Sequence, residues 1–253
     1  MPISLGSTPI KAAHLGAMPV KAIYLGSTLV WTFIKPTEVL PDNTTTNGTR
    51  DDFRALLGRY GLNYTTVREL PFNLDTSQVT DMGSIFSGCS SLVSVPELDT
   101  SQVTIMYAMF EGCSSLVSVP DMDTSQVTNM NFMFNGCRSL VSVPDMDTSK
   151  VTTMNSRFGG CWSLVSVPDM DTSQVTTMNS MFVNCWSLVS VPDMDTSKVT
   201  TMNYMFDRCS ALKDGNVRLI RPSSTKPSNR LNMIRSSGLT REPFFLPDGT
   251  PIN

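Results

Sequence analysis

Histidine is almost absent from this chain of 253 residues, in which His14 is the only one. A Ser-His-Asp or Cys-His catalytic arrangement could therefore be built on that residue alone. His14 stands where Tyr24 stands in the next copy of a short repeat, which indicates a strand residue rather than a general base. No CxxC pair supports a zinc site, and no glycine loop ends in Lys-Ser or Lys-Thr to hold phosphates. We expect neither an enzyme nor a cofactor nor a bound metal ion.

Long apolar runs are absent as well. No stretch of 18 apolar residues occurs, so no transmembrane helix or membrane insertion is expected. The first residues lack the basic and then apolar order of a secretory signal, so export by that route is not expected. Residues 72–209 hold 5 basic and 14 acidic residues, a net charge of −9 (5 minus 14). Phosphate binding needs clustered Lys and Arg, so we expect no nucleic-acid partner.

What the sequence does have is a repeat of 24 residues, clearest in SLVSVPDMDTSQVTTMNSMFVNC, residues 163–185. Its cysteines recur at that interval without a slip: Cys89, Cys113, Cys137, Cys161, Cys185 and Cys209. A fixed period in this range is typical of a solenoid, in which each repeat is one coil and coils bury their apolar faces on each other. We expect the cysteines to be small buried apolar groups in single file rather than a disulfide framework.

One coil can be interpreted residue by residue. Residues 92–96 predict a short strand that Pro96 ends, and Asp99-Thr100-Ser101 predicts a turn and a helix N-cap. Apolar residues then follow at the i, i+3, i+7 and i+10 spacing of one helical face: Val103, Met106, Phe110 and Cys113. The predicted fold class is an α/β repeat solenoid of short parallel strands and short helices, preceded by a small β segment at the N-terminus.

Composition divides the chain into segments. They are 1–35, a β decapeptide repeat for anchoring or oligomerisation; 36–48, a linker; 49–71, a capping helix and a first degenerate strand; 72–220, the solenoid; and 221–253, a linker with a cap or tail. In the capping helix Thr49 and Asp52 resemble a capping box, and Gly61 predicts the end. Its apolar face should cover the first coil: Phe53, Leu56, Leu57 and Tyr60.

The 24-residue repeat resembles the BspA-like leucine-rich repeats of bacterial surface proteins. The shared signature is Leu-x-x-Val/Leu…Asp-Thr-Ser-x-Val-Thr-x-Met-x-x-Met-Phe-x-x-Cys, matched six times in succession over roughly 140 residues. The resemblance implies a leucine-rich-repeat-like solenoid and binding to host molecules or cell surfaces.

The N-terminal segment resembles a second family, structural proteins of tailed-bacteriophage virions, through PVKAIYLGSTLVW at residues 19–31. This likeness implies a phage protein that is assembled in the host cytoplasm and displayed on the virion surface. It implies that residues 1–35 bind other virion proteins and form a homo-oligomer, for which a trimer is expected. The predicted anchor residues are Leu5, Leu15, Ile23, Tyr24, Leu25, Val30 and Trp31.

Positions that vary among near-identical coils predict the exposed surface. The residue after each cysteine is Arg138, Trp162 or Trp186 in three successive coils, and serine in the others. Two adjacent tryptophans would form an apolar platform suited to sugar rings or a protein surface, with arginine stacked on it; alternatively, both rings only cover the core. Two further variable positions place aromatic side chains on the surface. The predicted ligand-binding residues are Trp162, Trp186, Arg138, Phe132, Tyr107 and Tyr204.

Aspartates also recur in columns, at positions 121, 145, 169 and 193 and at 99, 123, 147, 171 and 195. Stacked carboxylates repel one another unless a cation such as calcium lies between them or each accepts local hydrogen bonds. An aspartate before Thr-Ser caps a turn without a metal. The second interpretation is favoured.

Three functions are therefore considered. The first is a phage virion protein, part of a fibre, tail or head appendage, whose solenoid attaches to a carbohydrate or protein ligand on a cell or environmental surface. The second is a BspA-like adhesin on a bacterial cell surface, and the third is a capsid decoration protein without a specific ligand. An enzyme such as a glycan depolymerase is disfavoured because the carboxylates repeat like structural parts.

Overall fold

The computed structural model describes residues 37–40, 48–221, 227, 229–245 and 250–251, and within residues 4–32 the backbone of six strands. The elements in chain order are β1 Ser4–Leu5, β2 Thr8–Pro9, β3 His14–Leu15, β4 Met18–Pro19, β5 Lys21–Leu25, β6 Thr28–Thr32, β7 Thr37–Val39, α1 Gly48–Arg59, β8 Asn73–Asp75, β9 Met194–Asp195, β10 Leu219–Ile220 and β11 Phe244–Phe245. Strands β1–β2, β3–β4 and β5–β6 pair antiparallel. Strand β7 pairs parallel with β8, and β9, β10 and β11 form a parallel sheet.

Successive coils stack in parallel from β8 to β11. Single parallel bridges join equivalent residues of neighbouring coils, in the order Asp81, Ile105, Asn129, Thr153, Thr177, Thr201 and Asn229. The first five steps are 24 residues long, and the last is 28. The predicted repeat solenoid with short parallel strands is confirmed. Within the described parts of the chain, no helix has the length and apolar character needed to cross a bilayer.

The segment of each coil that was predicted as a helix is instead a series of β-turns. The amide of Met109 donates to the carbonyl of Met106 at 3.3 Å, whereas the amide of Ala108 donates to Asn131 in the next coil at 2.9 Å. Ala108 has a φ of 52°, which no right-handed helix accommodates. A turn closed between residues three apart places apolar groups every third position, which imitates a helical face. The helix prediction for the coils is wrong for this reason.

The core consists of columns of identical side chains. Phenylalanine rings of neighbouring coils stack with centroids 5.3 to 5.7 Å apart and planes within 8° of parallel: Phe86, Phe110, Phe134, Phe158, Phe182 and Phe206. Beside them the six cysteines are free and buried, as predicted. The thiol of Cys113 donates to the carbonyl of Phe86 at 3.1 Å, and the bond recurs in each later coil.

Helix α1 closes the N-terminal end of this core, as predicted. Phe53 is fully buried and meets Phe86, the first ring of the column, edge-on at 5.0 Å. The amide of Leu62 donates to Leu57 at 3.0 Å around Gly61, whose φ of 68° completes a Schellman C-cap. The predicted capping box is not formed, because Thr49 lies inside the helix and its hydroxyl has no hydrogen-bond partner among the described residues.

A further coil closes the other end. The amides of Tyr204 and Phe206 donate to Leu231 at 2.8 Å and Met233 at 2.7 Å. The Arg235 guanidinium bridges both carboxylate oxygens of the buried Asp207, at 3.0 and 2.6 Å. Residues 229–245 thus cover the last full repeat. Residues 41–47 and 222–226 of the two predicted linkers lie outside the described residues.

Two turn positions in each coil have a left-handed backbone, as the third residue of a type II turn requires. The first column is Ser84, Ala108, Phe132, Ser156, Ser180 and Tyr204, and the second is Gly88, Gly112, Gly136, Gly160, Asn184 and Arg208. Glycine adopts this conformation without steric cost, whereas a side chain with a Cβ is strained there. The second column therefore changes from unstrained to strained residues along the rod.

We expect Gly136→Ala to lower the free energy of unfolding by about 1–2 kcal/mol, and Arg208→Gly to raise it by up to about 1 kcal/mol. A Cβ on Gly136 would meet Gly112 backbone atoms at an ordinary 3.5 Å, so its φ of 77° is the cause. Urea titration measures both changes. Gly58→Ala in α1 is the matched control, because nothing lies within 4 Å of its Cβ and helix propensity should make it stabilising. Stabilisation by Gly136→Ala would contradict the strain.

Candidate functional site

Three surface side chains form a continuous stack on successive coils. Each occupies the position after a buried cysteine, where a turn such as that from Cys185 to Leu188 is closed by a 3.3 Å hydrogen bond. The rings of Trp162 and Trp186 stack with centroids 4.7 Å apart and planes 12° from parallel, and the guanidinium of Arg138 lies 4.2 Å from the Trp162 ring centre. The structure thus brings together the predicted tryptophan pair and its arginine.

The geometry differs from a flat platform. Because the coils repeat the same turn, the two indole planes face each other along the solenoid axis. One face of Trp162 is covered by Arg138 and the other by Trp186, and Trp162 is half-buried. Trp186 is 45% exposed, and the next coil has only the small Ser210 at the equivalent position. The stack therefore offers the outer face of one indole and the edges of two.

The remaining predicted ligand residues lie elsewhere in the coil. Tyr107 is 42% exposed and meets Phe132 edge-on at 5.7 Å. Tyr204 is half-buried, with the Arg235 guanidinium 5.7 Å from its ring centre. Among the described residues, no ring contact joins these side chains to the tryptophan stack. They form separate aromatic contacts rather than one surface with it.

One variable position that suggested a surface is a structural ladder. Asn131, Asn155 and Asn179 are half-buried, and each side-chain oxygen accepts the backbone amide of the next asparagine at 2.7 to 2.9 Å. The side-chain amides of Asn155 and Asn179 donate to threonine hydroxyls at 2.9 Å. Variation at this position follows a hydrogen-bonding choice, so it does not mark a ligand surface.

The aspartate column cap turns, as the favoured interpretation holds. Asp99 accepts the hydroxyl of Ser101 at 2.7 Å and its amide at 3.1 Å. These hydrogen bonds lower the pKa of Asp99, and those from Ser125 lower the pKa of Asp123. No cluster of His, Cys, Asp or Glu within the described part of the chain could hold a metal ion.

The predicted anchor residues belong to strands whose side chains lie outside the described residues. Their backbones pair within β1–β6: Leu5 with Thr8, Leu15 with Met18, Ile23 with Val30, Tyr24 with Leu29, Leu25 with Thr28 and Trp31 with Ala22. Their role in anchoring stays a prediction.

A buried arginine escaped the sequence reasoning. Arg157 is 1% exposed and occupies the place of Met109, Met133, Met181 and Met205 in other coils. Burial lowers the pKa of its guanidinium to about 10. The repeat alignment held the signal, since one charged residue stands in a column of methionines.

The sequence comparison agrees with the repeat architecture. The model of one protein family, described as "Mycoplasma protein of unknown function, DUF285", matches residues 63–166 and 140–228. The chain belongs to the DUF285 family. No curated protein matches this DUF285 chain.

Solved structures similar to this DUF285 protein are leucine-rich repeat proteins of bacteria. One, from T. pallidum (TpLRR), is 24% identical, with 60% of this chain and 69% of that chain covered and a TM-score of 0.44. Another, from Eubacterium ventriosum, is 24% identical, with 66% of this chain covered and a TM-score of 0.45. The DUF285 chain spans 43% of that second protein. The resemblance to phage virion proteins stays a prediction.

Proposed function

We propose that this protein is a non-enzymatic attachment protein, whose solenoid is a rigid support that presents the Arg138–Trp162–Trp186 stack to a surface ligand. The observation that carries the proposal is the exposed outer face of Trp186 at the end of an ordered stack. A ring that is already held by its neighbour loses little conformational entropy on binding. Aromatic side chains with an apolar face and a polar edge are the usual anchors of such sites.

The ligand proposed is the sugar ring of a surface glycan. Its C–H face matches a single open indole face in size, and its hydroxyls can reach the polar atoms of the surrounding turn. Residues 72–209 carry a net charge of −9 (5 basic minus 14 acidic), which disfavours strongly anionic polymers. Neutral or weakly charged glycans are therefore the class to test first.

We expect Trp186→Ala to weaken glycan binding by on the order of tenfold or more, because it removes the only open ring face of the stack. Stability should fall by no more than the value of one aromatic pair, about 1.5 kcal/mol. A glycan array identifies the sugar, and tryptophan fluorescence then measures its affinity for each variant.

Two variants sharpen this test. Ser210→Arg should cover the outer face of Trp186 as Arg138 covers Trp162, so it should abolish binding while both tryptophans remain. Val117→Ala is the control, because this exposed valine lies on another coil. Unchanged binding by Trp186→Ala, or no glycan bound by the parent protein, would refute the proposed ligand.

The proposed display platform is a bacteriophage virion, with residues 1–35 joining the protein to other virion proteins as a homotrimer. The support is the likeness of residues 19–31 to virion proteins. The alternative platform is a bacterial cell surface, which the family's printed description as Mycoplasma proteins favours. Mass spectrometry of purified phage particles and of bacterial surface fractions distinguishes the two. Light scattering of the full chain, compared with a variant lacking residues 1–35, tests the trimer.

A further inference from the structure

The most unusual polar group in the core is the guanidinium of Arg157. Its Nη1 lies 3.2 Å from Sδ of Met170 and its Nη2 lies 3.0 Å from Sδ of Met146. Its Nε has no hydrogen-bond partner among the described residues, and its centre lies 4.9 Å from the Phe158 ring centroid. Thioether sulfur is a weak acceptor. A buried cation is therefore held between two weak acceptors.

Oxidation of a methionine changes this balance, because a sulfoxide oxygen is a polar acceptor where the thioether sulfur was nearly apolar. We propose that Met146 and Met170, together with Arg157, form a methionine-oxidation site at which the sulfoxide is accommodated inside the core. Arg157 supplies N–H donors to the new oxygen, and the oxygen supplies the acceptor that the guanidinium lacks.

The oxidant is a peroxide. The thioether sulfur attacks one peroxide oxygen as the O–O bond breaks and an S–O bond forms. The second oxygen leaves with the displaced electron pair and takes the proton of the first, so that hydrogen peroxide yields one water. The sulfur is oxidised by two electrons and the peroxide is reduced by two. Arg157 exchanges no electron, and it acts by positioning and stabilising the sulfoxide product.

The same column contains an internal control. Met122 stands 24 residues before Met146, and the two are equally exposed at 7%, with Met170 at 8%. Equal exposure gives peroxide the same access to all three. The places that correspond to Arg157 on either side of Met122 hold Met109 and Met133, which offer no N–H donor from their side chains. A sulfoxide at Met122 would thus be a buried polar group without a partner, which is destabilising.

The test begins with the full chain unfolded in urea, where hydrogen peroxide oxidises all methionines to similar, partial extents. The protein is refolded and treated with a protease that destroys molecules failing to refold. Peptide mass spectrometry then compares sulfoxide at each position before and after selection. We expect sulfoxide at Met146 and Met170 to survive selection on the order of tenfold better than sulfoxide at Met122. In Arg157→Met the three sites should be lost equally.

A second measurement needs no oxidation. Glutamine has nearly the length of methionine and places an amide oxygen where the sulfoxide oxygen would lie. Met146→Gln should unfold at a higher urea concentration than Met122→Gln, and the difference should disappear in the Arg157→Met background. Equal depletion of all three sulfoxides, or equal unfolding midpoints of the two glutamine variants, would overturn the site. Neither result depends on glycan binding by the tryptophan stack.

Discussion

Raising the pH from about 9 to about 10 is expected to remove about 8 kcal/mol of folding free energy and to unfold the protein. Burial raises the pKa of all six cysteine thiols above their ordinary value of 9.0, to about 12 for Cys89 and Cys209. The folded solenoid keeps its thiols protonated, whereas the unfolded chain releases those protons.

The sign and the pH window follow from linkage. A folded-state pKa above the unfolded value gives stability that is fully present below about pH 9 and is lost as pH rises toward the folded value. At about pH 10 each thiol has lost about 1.4 kcal/mol, and six equivalent thiols multiply that loss. The Tyr60 pKa is also raised, by its hydrogen bond to Glu38, and this acts in the same direction.

Urea titrations at intervals between pH 8 and pH 10 measure this loss, and its slope counts the protons released on unfolding. Cys161→Ala should reduce the slope by one proton of six, at the cost of a small cavity. Below pH 9 the native thiols should also resist alkylating reagents. A urea midpoint that stays constant to pH 10 would show that the thiols ionise in the folded protein.

Replacing Arg157 by methionine is expected to raise the free energy of unfolding by about 3 kcal/mol. The difference between the ordinary guanidinium pKa of 12.5 and the value of about 10 in the core corresponds to that cost of burial. Because this folded pKa is depressed, the destabilisation is constant below about pH 10 and is relieved only above it. Methionine already fills the equivalent place as Met133 and Met181, so the substitution needs no new packing.

Chemical denaturation at neutral pH measures this gain. Arg68→Met is the matched control, because the same side chains are exchanged at an exposed position, where the change should stay within about 0.5 kcal/mol. A loss of stability in Arg157→Met would mean that the methionine sulfurs and the Phe158 ring compensate the buried charge fully.

Periodicity predicted the large features of this fold. Identical residues every 24 positions required parallel coils, buried cysteines in one column and a cap on the first coil, and Phe53 meets that expectation by closing the phenylalanine column. The turns could not be predicted from apolar spacing, because turns closed over three residues and helices give similar patterns. The left-handed backbone was hidden as well, since Ala108 and Phe132 give no sign of it where glycine would have.

The candidate site was predictable to the extent that it depends on the repeat. Comparing coils identified Arg138, Trp162 and Trp186 as equivalent positions, and equivalence places them in contact. The direction of the indole planes depends on turn geometry, which the sequence did not show. Position 157 was overlooked because a single charge in a methionine column was not compared with its neighbours. Its consequence depends on burial and on the two sulfurs beside it.

The uniform step between coils also sets a rule for how such a gene can change. Duplication or loss of 72 nucleotides, the coding length of one 24-residue repeat, would lengthen or shorten the rod by one rung of about 4.8 Å and keep both end caps in place. An in-frame insertion of another size within a coil would displace every column beyond it. Rod length can therefore vary among relatives in whole rungs, without any new interior having to be invented.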